Sequence, residues 1–279
     1  MSDRSKRDAD AIGGRAGARP PSRLGSYYSG MSGHSKWAQI KHRKAATDAR
    51  RGQMFTKLAR AITVAAREGG GDPDANFTLA AAVQKARDYS MPKENIQRAI
   101  DRGSGAGGGE DAIERVVYEG YGPGGAAILV EALTDNRNRT SADMRHVFDK
   151  HGGSLGEPGS VAWGFEKRGV VLVDAARYSE DDLIAAIDAG ADDVSADGDS
   201  LKVVCAAENL TAVREALESG GVEIESAELT MEPSSVVQVD GGDAATLMRL
   251  MDALDDHDDV EAVHGNFDVP AEVIERAAA

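Results

Sequence analysis

The sequence predicts a multi-domain α+β protein, in which an N-terminal helical bundle is followed by two α+β domains. Its apolar residues repeat with a helical period up to residue 103 and, beyond a glycine-rich segment, with the period of two that is typical of strands. A strand–helix–strand–strand–helix–strand order over residues 169–232 is typical of a ferredoxin-like βαββαβ unit. Because unpaired strands are predicted on both sides of this unit, we expect this third domain to be inserted in the second.

The predicted helical bundle contains three helices. Apolar residues between positions 55 and 66 recur at spacings of three and four, and the glycines at 69–71 are expected to end this first helix. Asp74 is expected to cap a second helix, which runs from residue 75 to about residue 89. Pro92 suits the first turn of a third helix.

The glycine-rich segment 103–110 predicts a flexible linker, after which strands and helices alternate. Before the ferredoxin-like unit, we expect strands at 113–120, 126–134 and 160–167 and a helix at 140–151. Within that unit, we expect strands at 169–174, 192–196, 201–206 and 223–232 and helices at 179–189 and 208–219. The Asp197-Gly198 pair predicts a hairpin turn. A last strand, helix and strand are expected at 235–240, 243–255 and 260–266.

These elements divide the chain into four segments. We expect a disordered extension at 1–30, a helical basic domain at 31–103, a discontinuous α+β domain at 104–168 and 233–279, and an inserted ferredoxin-like domain at 169–232. The first segment holds almost no aliphatic residues, which is typical of disorder. Because the character of the sequence changes at Met31, we hypothesise that Met31 is the physiological start.

The charged residues are unevenly distributed along the chain. The formal net charge of the whole protein is −15, yet residues 31–103 contain fourteen Lys and Arg against seven Asp and Glu. Residues 104–279 contain twelve Lys and Arg against thirty-seven Asp and Glu, a net charge of −25. A basic end on an acidic protein indicates that this end binds a polyanion.

A basic stripe is predicted on the first helix and on the residues before it. Lys36, Arg43, Arg50 and Lys57 recur every seven residues, which places side chains along one helical face. Such a face binds phosphate groups, although a merely solvated helix has the same pattern. Trp37 can stack on a nucleobase or pack as a hydrophobic staple. The candidate nucleic-acid-binding residues of this block are Lys36, Trp37, Lys41, Arg43, Lys44, Arg50, Arg51, Lys57 and Arg60.

A second polar cluster lies in the segment TDNRNRT, residues 134–140, between a predicted strand and a predicted helix. A turn of this kind presents backbone N–H groups to an anion, and Arg137 and Arg139 are candidates to bind nucleic acid beside them. The alternative is structural: Asp135 can pair with either arginine and hold the turn. The sequence gives equal support to both interpretations.

Several classes of function have little support. No Ser-His-Asp, zinc-protease or phosphate-loop signature is present, so we expect no catalytic residues, metal, cofactor or small-molecule substrate. No apolar run is long enough to cross a membrane, so no membrane partner is expected. The single cysteine, Cys205, is expected to be a buried structural thiol, and the acidic residues 255–259 are expected to form a solvated helix end.

Seven motifs, in order, resemble the YebC/PmpR family, which is related to mitochondrial translational activators. They are GHSKWAQIKHRKAATDARRGQMFTKL, AREGGGDPDANF, MPKENIQRAI, YEGYGPGGAA, TDNRNRT, KHGGSLGEPGSV and DDVEAVHGNFD. The resemblance covers residues 31–268 and implies three domains, one inserted in another. It also implies a cytoplasmic, nucleic-acid-associated regulator without catalytic residues. Trp163 departs from the smaller aromatic residues usual in the family, and we expect this departure to affect packing only.

The leading interpretation is a transcriptional regulator that binds DNA through its basic helical domain. A second interpretation is a translation factor that binds ribosomal RNA on the ribosome. The acidity of residues 104–279 favours this second interpretation, because a long duplex would repel that part of the chain. A third is a protein-interaction module, in which the acidic ferredoxin-like domain binds a basic partner.

Overall fold

The computed structural model describes Trp37 and residues 48–105, 113–270 and 272–274. These residues form a mixed α/β structure with a helical N-terminal region, two four-stranded antiparallel sheets and a short parallel strand pair. Three predicted features lie outside the described residues: the extension 1–30, the basic residues Lys36, Lys41, Arg43 and Lys44, and most of the linker. The described helices do not combine the length and the apolarity that a membrane crossing requires.

Three helices form the N-terminal region: α1 (Asp48–Gly69), α2 (Phe77–Asp88) and α3 (Lys93–Gly103). Asn76, not Asp74, caps α2, which begins two residues later than predicted. Its side-chain Oδ1 accepts a hydrogen bond from the Leu79 N–H at 3.1 Å, while its Nδ2 donates to the carbonyls of Ala65 and Gly70, both at 2.9 Å. The buried amide therefore joins the start of α2 to the end of α1, which an acceptor-only carboxylate cannot do.

The first sheet contains β1 (Glu114–Tyr121), β2 (Ala127–Thr134), β3 (Ser154–Leu155) and β9 (Val260–Gly265), in the order β3-β1-β2-β9. The helices of this part are α4 (Arg137–Lys150) and α7 (Gly241–Asp255), and the short pair beside it is β8 (Val237–Gln238) with β10 (Phe267–Asp268). Phe148 and Met144 of α4 and Leu247 of α7 are fully buried in one core with the strands. This core sets the position of both helices on the sheet.

The second sheet is built from residues 165–233. Its elements are β4 (Phe165–Asp174), α5 (Ile184–Asp188), β5 (Ala191–Asp197), β6 (Ser200–Ala206), α6 (Leu210–Ser219) and β7 (Ile224–Pro233). The strand order β5-β6-β4-β7, with every pair antiparallel, is that of the predicted ferredoxin-like unit. Cys205 is buried in this core, as predicted, and its thiol donates to the Gly169 carbonyl at 3.6 Å.

The two separate strands predicted at 160–167 and 169–174 are wrong, because the chain forms a 3₁₀ turn over Ala162–Gly164 followed by the single strand β4. The buried carboxylate of Glu119 explains the turn. It accepts hydrogen bonds from the backbone N–H groups of Gly159 (2.6 Å), Val161 (2.7 Å) and Ala162 (2.8 Å). These bonds hold the segment away from a strand conformation.

Trp163 lies at this turn with its side chain 82% exposed. Its indole N–H donates to the Ser160 carbonyl at 3.1 Å. The expectation that this residue affects only packing is therefore wrong, because the ring is presented to solvent.

The helical region packs against both sheets. Lys85 of α2 donates to Glu228 of β7 at 2.5 Å, and Arg214 of α6 holds the Asp88 carboxylate with two bonds of 2.8 and 3.0 Å. Burial acts to lower the pKa of Lys85, but the charge and hydrogen bond of Glu228 together with the charges of Tyr89 and Glu261 outweigh it, so the pKa is raised. The helices are thus joined to the ferredoxin-like unit by charged pairs as well as by the chain.

Candidate nucleic-acid interface

Trp37 is buried, with 5% of its surface exposed, in the core of the first sheet. Its indole N–H donates to the Asp252 carboxylate of α7 at 3.0 Å. The prediction that Trp37 stacks on a nucleobase is therefore wrong, because its faces are covered and its one donor is used. Because its partner Asp252 lies on the distant helix α7, Trp37 also makes a contact that the predicted hydrophobic staple does not include.

Lys57 and Arg60 of the predicted stripe lie on the C-terminal end of α7. The Lys57 Nζ donates to the Asp255 carbonyl at 2.5 Å, and the Arg60 guanidinium donates to the Asp258 carbonyl at 3.1 Å and to the Asp259 carboxylate at 3.3 Å. A helix C-terminus attracts cations because its last carbonyls have no helical partner. Asp256 and Asp258 are exposed, in line with the predicted solvated helix end, but the carbonyls of Asp255 and Asp258 and the buried carboxylate of Asp259 also make this end a docking point for α1.

In the turn before α4, the structural interpretation of Asp135 is the one observed. Arg139 donates to the Asp135 carboxylate at 3.0 Å and to that of Asp259 at 2.8 Å. Asn136 caps α4 by accepting from the Arg139 N–H at 3.1 Å. Arg137 points outward, 68% exposed, with Glu114 at 3.8 Å.

Asp259 is the centre of this arrangement. Its buried carboxylate accepts from Arg60 and Arg139 and also from two hydroxyls, Thr140 at 2.7 Å and Thr134 at 3.3 Å. Burial acts to raise the pKa of Asp259, but the hydrogen bonds from Arg139 and Thr140 and the charge of Arg139 outweigh it, so the pKa is lowered. The group is an ionised structural anchor.

This carboxylate joins two clusters that the sequence presents separately. Arg60 belongs to the basic block and Arg139 to the turn after β2, and both contact Asp259. The side chains of Arg50 and Arg51 lie outside the described residues, although their backbone belongs to α1. Sequence reasoning missed the acidic partners Asp252 and Asp259, and the one local signal was that Asp259 belongs to the acidic run 255–259.

The chain matches two family descriptions. Residues 35–106 match the TACO1/YebC protein N-terminal domain, and residues 113–267 match the TACO1/YebC second and third domain. A probable transcriptional regulatory protein of Rubrobacter xylanophilus is 56% identical over 249 residues, which cover 89% of this chain and 100% of the relative. One of Dictyoglomus thermophilum, with the same description, is 52% identical over 247 residues, which cover 88% and 99%.

A solved structure is also similar. The crystal structure of a conserved hypothetical protein from Aquifex aeolicus superimposes with a TM-score of 0.74 at 47% sequence identity. The match covers 84% of this chain and 97% of that chain. The two proteins are therefore similar in sequence as well as in fold.

Proposed function

This chain belongs to the TACO1/YebC family, and from that premise we propose that it is a regulatory protein that binds nucleic acid through its basic N-terminal helical domain. Its relatives are named as probable transcriptional regulatory proteins, which supports a regulatory role. The observation that carries the proposal is the excess of seven positive charges over residues 31–103 in a chain of net charge −15. Phosphate contacts from such a domain supply affinity in proportion to the cations that they release.

The structure supports one interface rather than two. Arg60 and Arg139 reach the same carboxylate, so the basic block and the turn 134–140 are neighbours. Arg137, at the start of α4, extends this region with an exposed guanidinium. We therefore propose that the basic block binds the nucleic acid and that Arg137 contributes at its edge, while Arg139 orients the turn.

A matching domain organisation is part of the proposal. The helical basic domain spans 31–103, a discontinuous α+β domain spans 104–168 and 233–279, and the ferredoxin-like domain 169–232 is inserted in it. Two observations support the insertion: β9 pairs with β2 across the intervening sequence, and residues 165–233 form a sheet of their own. In this organisation the acidic domains are attached to the basic domain, and their negative charge opposes binding of the protein along the length of a duplex.

DNA is the target that the relatives' names favour, and ribosomal RNA is the second candidate. The charge of −25 over residues 104–279 favours the second candidate, because a compact RNA surface leaves room for acidic domains outside it and a long duplex does not. In either case we propose action by binding, in the cytoplasm, without catalysis, cofactor or small-molecule substrate.

The test of the interface is charge reversal with a matched control. In Arg43→Glu/Arg50→Glu, we expect nucleic-acid binding to fall by more than tenfold at physiological salt, because two phosphate contacts become repulsions. The control Arg145→Glu/Arg249→Glu changes the net charge equally, at two exposed positions of α4 and α7. Equal binding by wild type and the first variant would exclude this interface, provided that both melt at the same temperature.

The test of the target is ultraviolet crosslinking in cells, followed by sequencing of both the DNA and the RNA recovered. Enrichment of promoter DNA supports transcriptional regulation. Enrichment of ribosomal RNA supports translation. Recovery of neither, in cells where the protein is abundant, contradicts the proposal in both forms.

A further inference from the structure

A cavity of about 510 Å³ lies between α1, α3 and the end of β2. Its wall carries three arginines, Arg60 on α1 and Arg98 and Arg102 on α3. Cavities of roughly 300–1,000 Å³ are the size at which proteins enclose small ligands or single groups of larger ones. The cavity adjoins the basic block through Arg60, and it adds Arg98 and Arg102, which the sequence analysis does not assign to that block.

The charge of this cavity is strongly positive. Asp135 is the one acidic residue among the described residues of its wall, and that carboxylate is already paired with Arg139 at 3.0 Å. Among the described residues, Arg98 donates to two neutral groups of its own helix, the Glu94 carbonyl at 3.2 Å and the Asn95 side chain. Within the part of the chain that the structure describes, Arg98 and Arg102 have no carboxylate within ion-pair distance. Two arginines one helical turn apart therefore face the cavity without a counter-ion.

The rest of the wall suits a nucleobase. Phe55 and Met91 line the cavity and offer an aromatic ring and a polarizable thioether. Asn95, whose Oδ1 accepts from Arg98, adds an Nδ2 that can donate to a base edge. Guanidinium groups beside an aromatic ring are the combination by which proteins hold unpaired strands, with phosphates on the cations and bases on the ring.

We propose that this cavity binds one nucleotide of an unpaired nucleic-acid strand, with its phosphate at Arg98 and Arg102 and its base against Phe55. A double helix is too wide to enter a space of this size, so the strand is single or looped at this point. The inference rests on the proposed function, which it deepens by naming the form of nucleic acid that is recognised. Arg60 lies in the same wall, but its charge is paired with Asp259, so Arg98 and Arg102 are the groups on which the proposal depends.

The test compares Arg98→Gln/Arg102→Gln with the control Arg87→Gln/Lys93→Gln, which removes two exposed charges elsewhere on the same bundle. Glutamine keeps helix propensity, so folding is expected to survive in both. The probes are fluorescein-labelled polyuridine and the same strand annealed to polyadenosine, measured by anisotropy over a salt series. For polyuridine, we expect the first variant to lose about tenfold in affinity. The slope of log affinity against log salt is expected to fall by about 0.7, the value for one phosphate contact.

A second variant examines the base contact. Phe55→Leu removes the ring but keeps an apolar side chain. Polyuridine affinity is expected to fall by roughly 5- to 150-fold, which is the range for the loss of one base–aromatic stack. The salt slope is expected to stay unchanged, because no phosphate contact is removed. Duplex binding is expected to change little in either variant.

The outcomes separate this inference from the proposed function. If Arg43→Glu/Arg50→Glu abolishes binding while Arg98→Gln/Arg102→Gln keeps wild-type affinity and slope, the cavity is not the site and the proposed function stands. An equal loss for single strand and duplex overturns the preference for an unpaired strand. If wild type binds neither probe at low salt, this inference fails, while the proposed function, which includes DNA as a target, is decided by the Arg43→Glu/Arg50→Glu test.

Discussion

Arg60 and Arg139 donate to opposite oxygens of one buried carboxylate: Arg60 to Asp259 Oδ1 at 3.3 Å and Arg139 to Oδ2 at 2.8 Å. One arginine comes from the helical region and the other from the turn that follows β2, so the anion between them holds two parts of the chain together. The same carboxylate accepts from Thr140 at 2.7 Å. Both the stability of the protein and the geometry of the proposed interface therefore depend on Asp259.

Replacing Asp259 by asparagine is expected to lower the free energy of unfolding by about 2 kcal/mol. Removing one partner of a fully buried ion pair costs about 3–5 kcal/mol, and the loss here is smaller because both arginines are partly exposed and can be hydrated. The measurement is urea unfolding at neutral pH. Asp258→Asn is the control, since Asp258 is exposed and only its carbonyl contacts Arg60. Equal stability of the two variants would contradict the role of Asp259.

Acid is expected to loosen the turn that carries Trp163 before the protein unfolds as a whole. Burial acts to raise the pKa of Glu119, but hydrogen bonds from Gly159, Val161 and Ala162 outweigh it and the pKa is lowered. A carboxyl group with a folded pKa below its unfolded value of about 4.3 stabilises the fold above that value, and this contribution is lost as the pH falls through the folded pKa.

Amide hydrogen exchange against pH measures this loosening. Exchange at Gly159, Val161 and Ala162 is expected to accelerate in acid earlier than exchange in β1. Glu119→Gln is expected to show the faster exchange already at neutral pH, because an amide has one acceptor oxygen for three donors. If the protection of these three amides in wild type is independent of pH, the prediction is wrong.

Cys205 is expected to be inert in the native protein. Burial raises the pKa of its thiol to about 11, so the reactive thiolate is scarce at neutral pH, and the side chain is fully covered. Ellman's reagent is expected to react only at the rate of unfolding and to react at once in guanidinium chloride. Fast labelling under native conditions would show that the ferredoxin-like core opens.

The two tryptophans are expected to have opposite emission properties. Trp37 is 5% exposed and Trp163 is 82% exposed. In Trp163→Phe only the buried Trp37 remains, so the emission is expected to be blue-shifted and poorly quenched by iodide. In Trp37→Phe only the exposed Trp163 remains, so the emission is expected to be red-shifted and well quenched. The measurement is steady-state fluorescence of the two variants. Strong iodide quenching of Trp37 would reopen the stacking role that the structure argues against.

Much of the fold follows from the sequence because it depends on local patterns. The change of apolar period at the glycine-rich segment and the order of elements in 165–233 are both readable from neighbouring residues, and the structure has the predicted ferredoxin-like strand order. Local patterns also misled at the strand predicted at 160–167 and at the cap of α2. Asp74 and Asn76 are both good capping residues, and only the position of α1 selects the one that can also donate.

The candidate site was less predictable, since its contacts join residues far apart in the chain. A basic helix has the same sequence pattern whether it is solvated or docked, and nothing near Lys57 shows that its partner is the Asp255 carbonyl at the end of α7. Arg98 and Arg102 illustrate the converse, because their helix also carries Glu94 and Asp101 and so gives no local sign of a basic cavity.

Charge segregation, domain class and family membership are properties of the linear chain and were available from it. Which charges are neutralised, and which are left to meet a ligand, was settled only by folding. The physical reason is that Coulomb energies depend on distance in space and on local burial, which only the tertiary structure determines. In the folded chain Arg60 and Arg139 pair with Asp259, whereas Arg98 and Arg102 face a cavity without a carboxylate partner among the described residues.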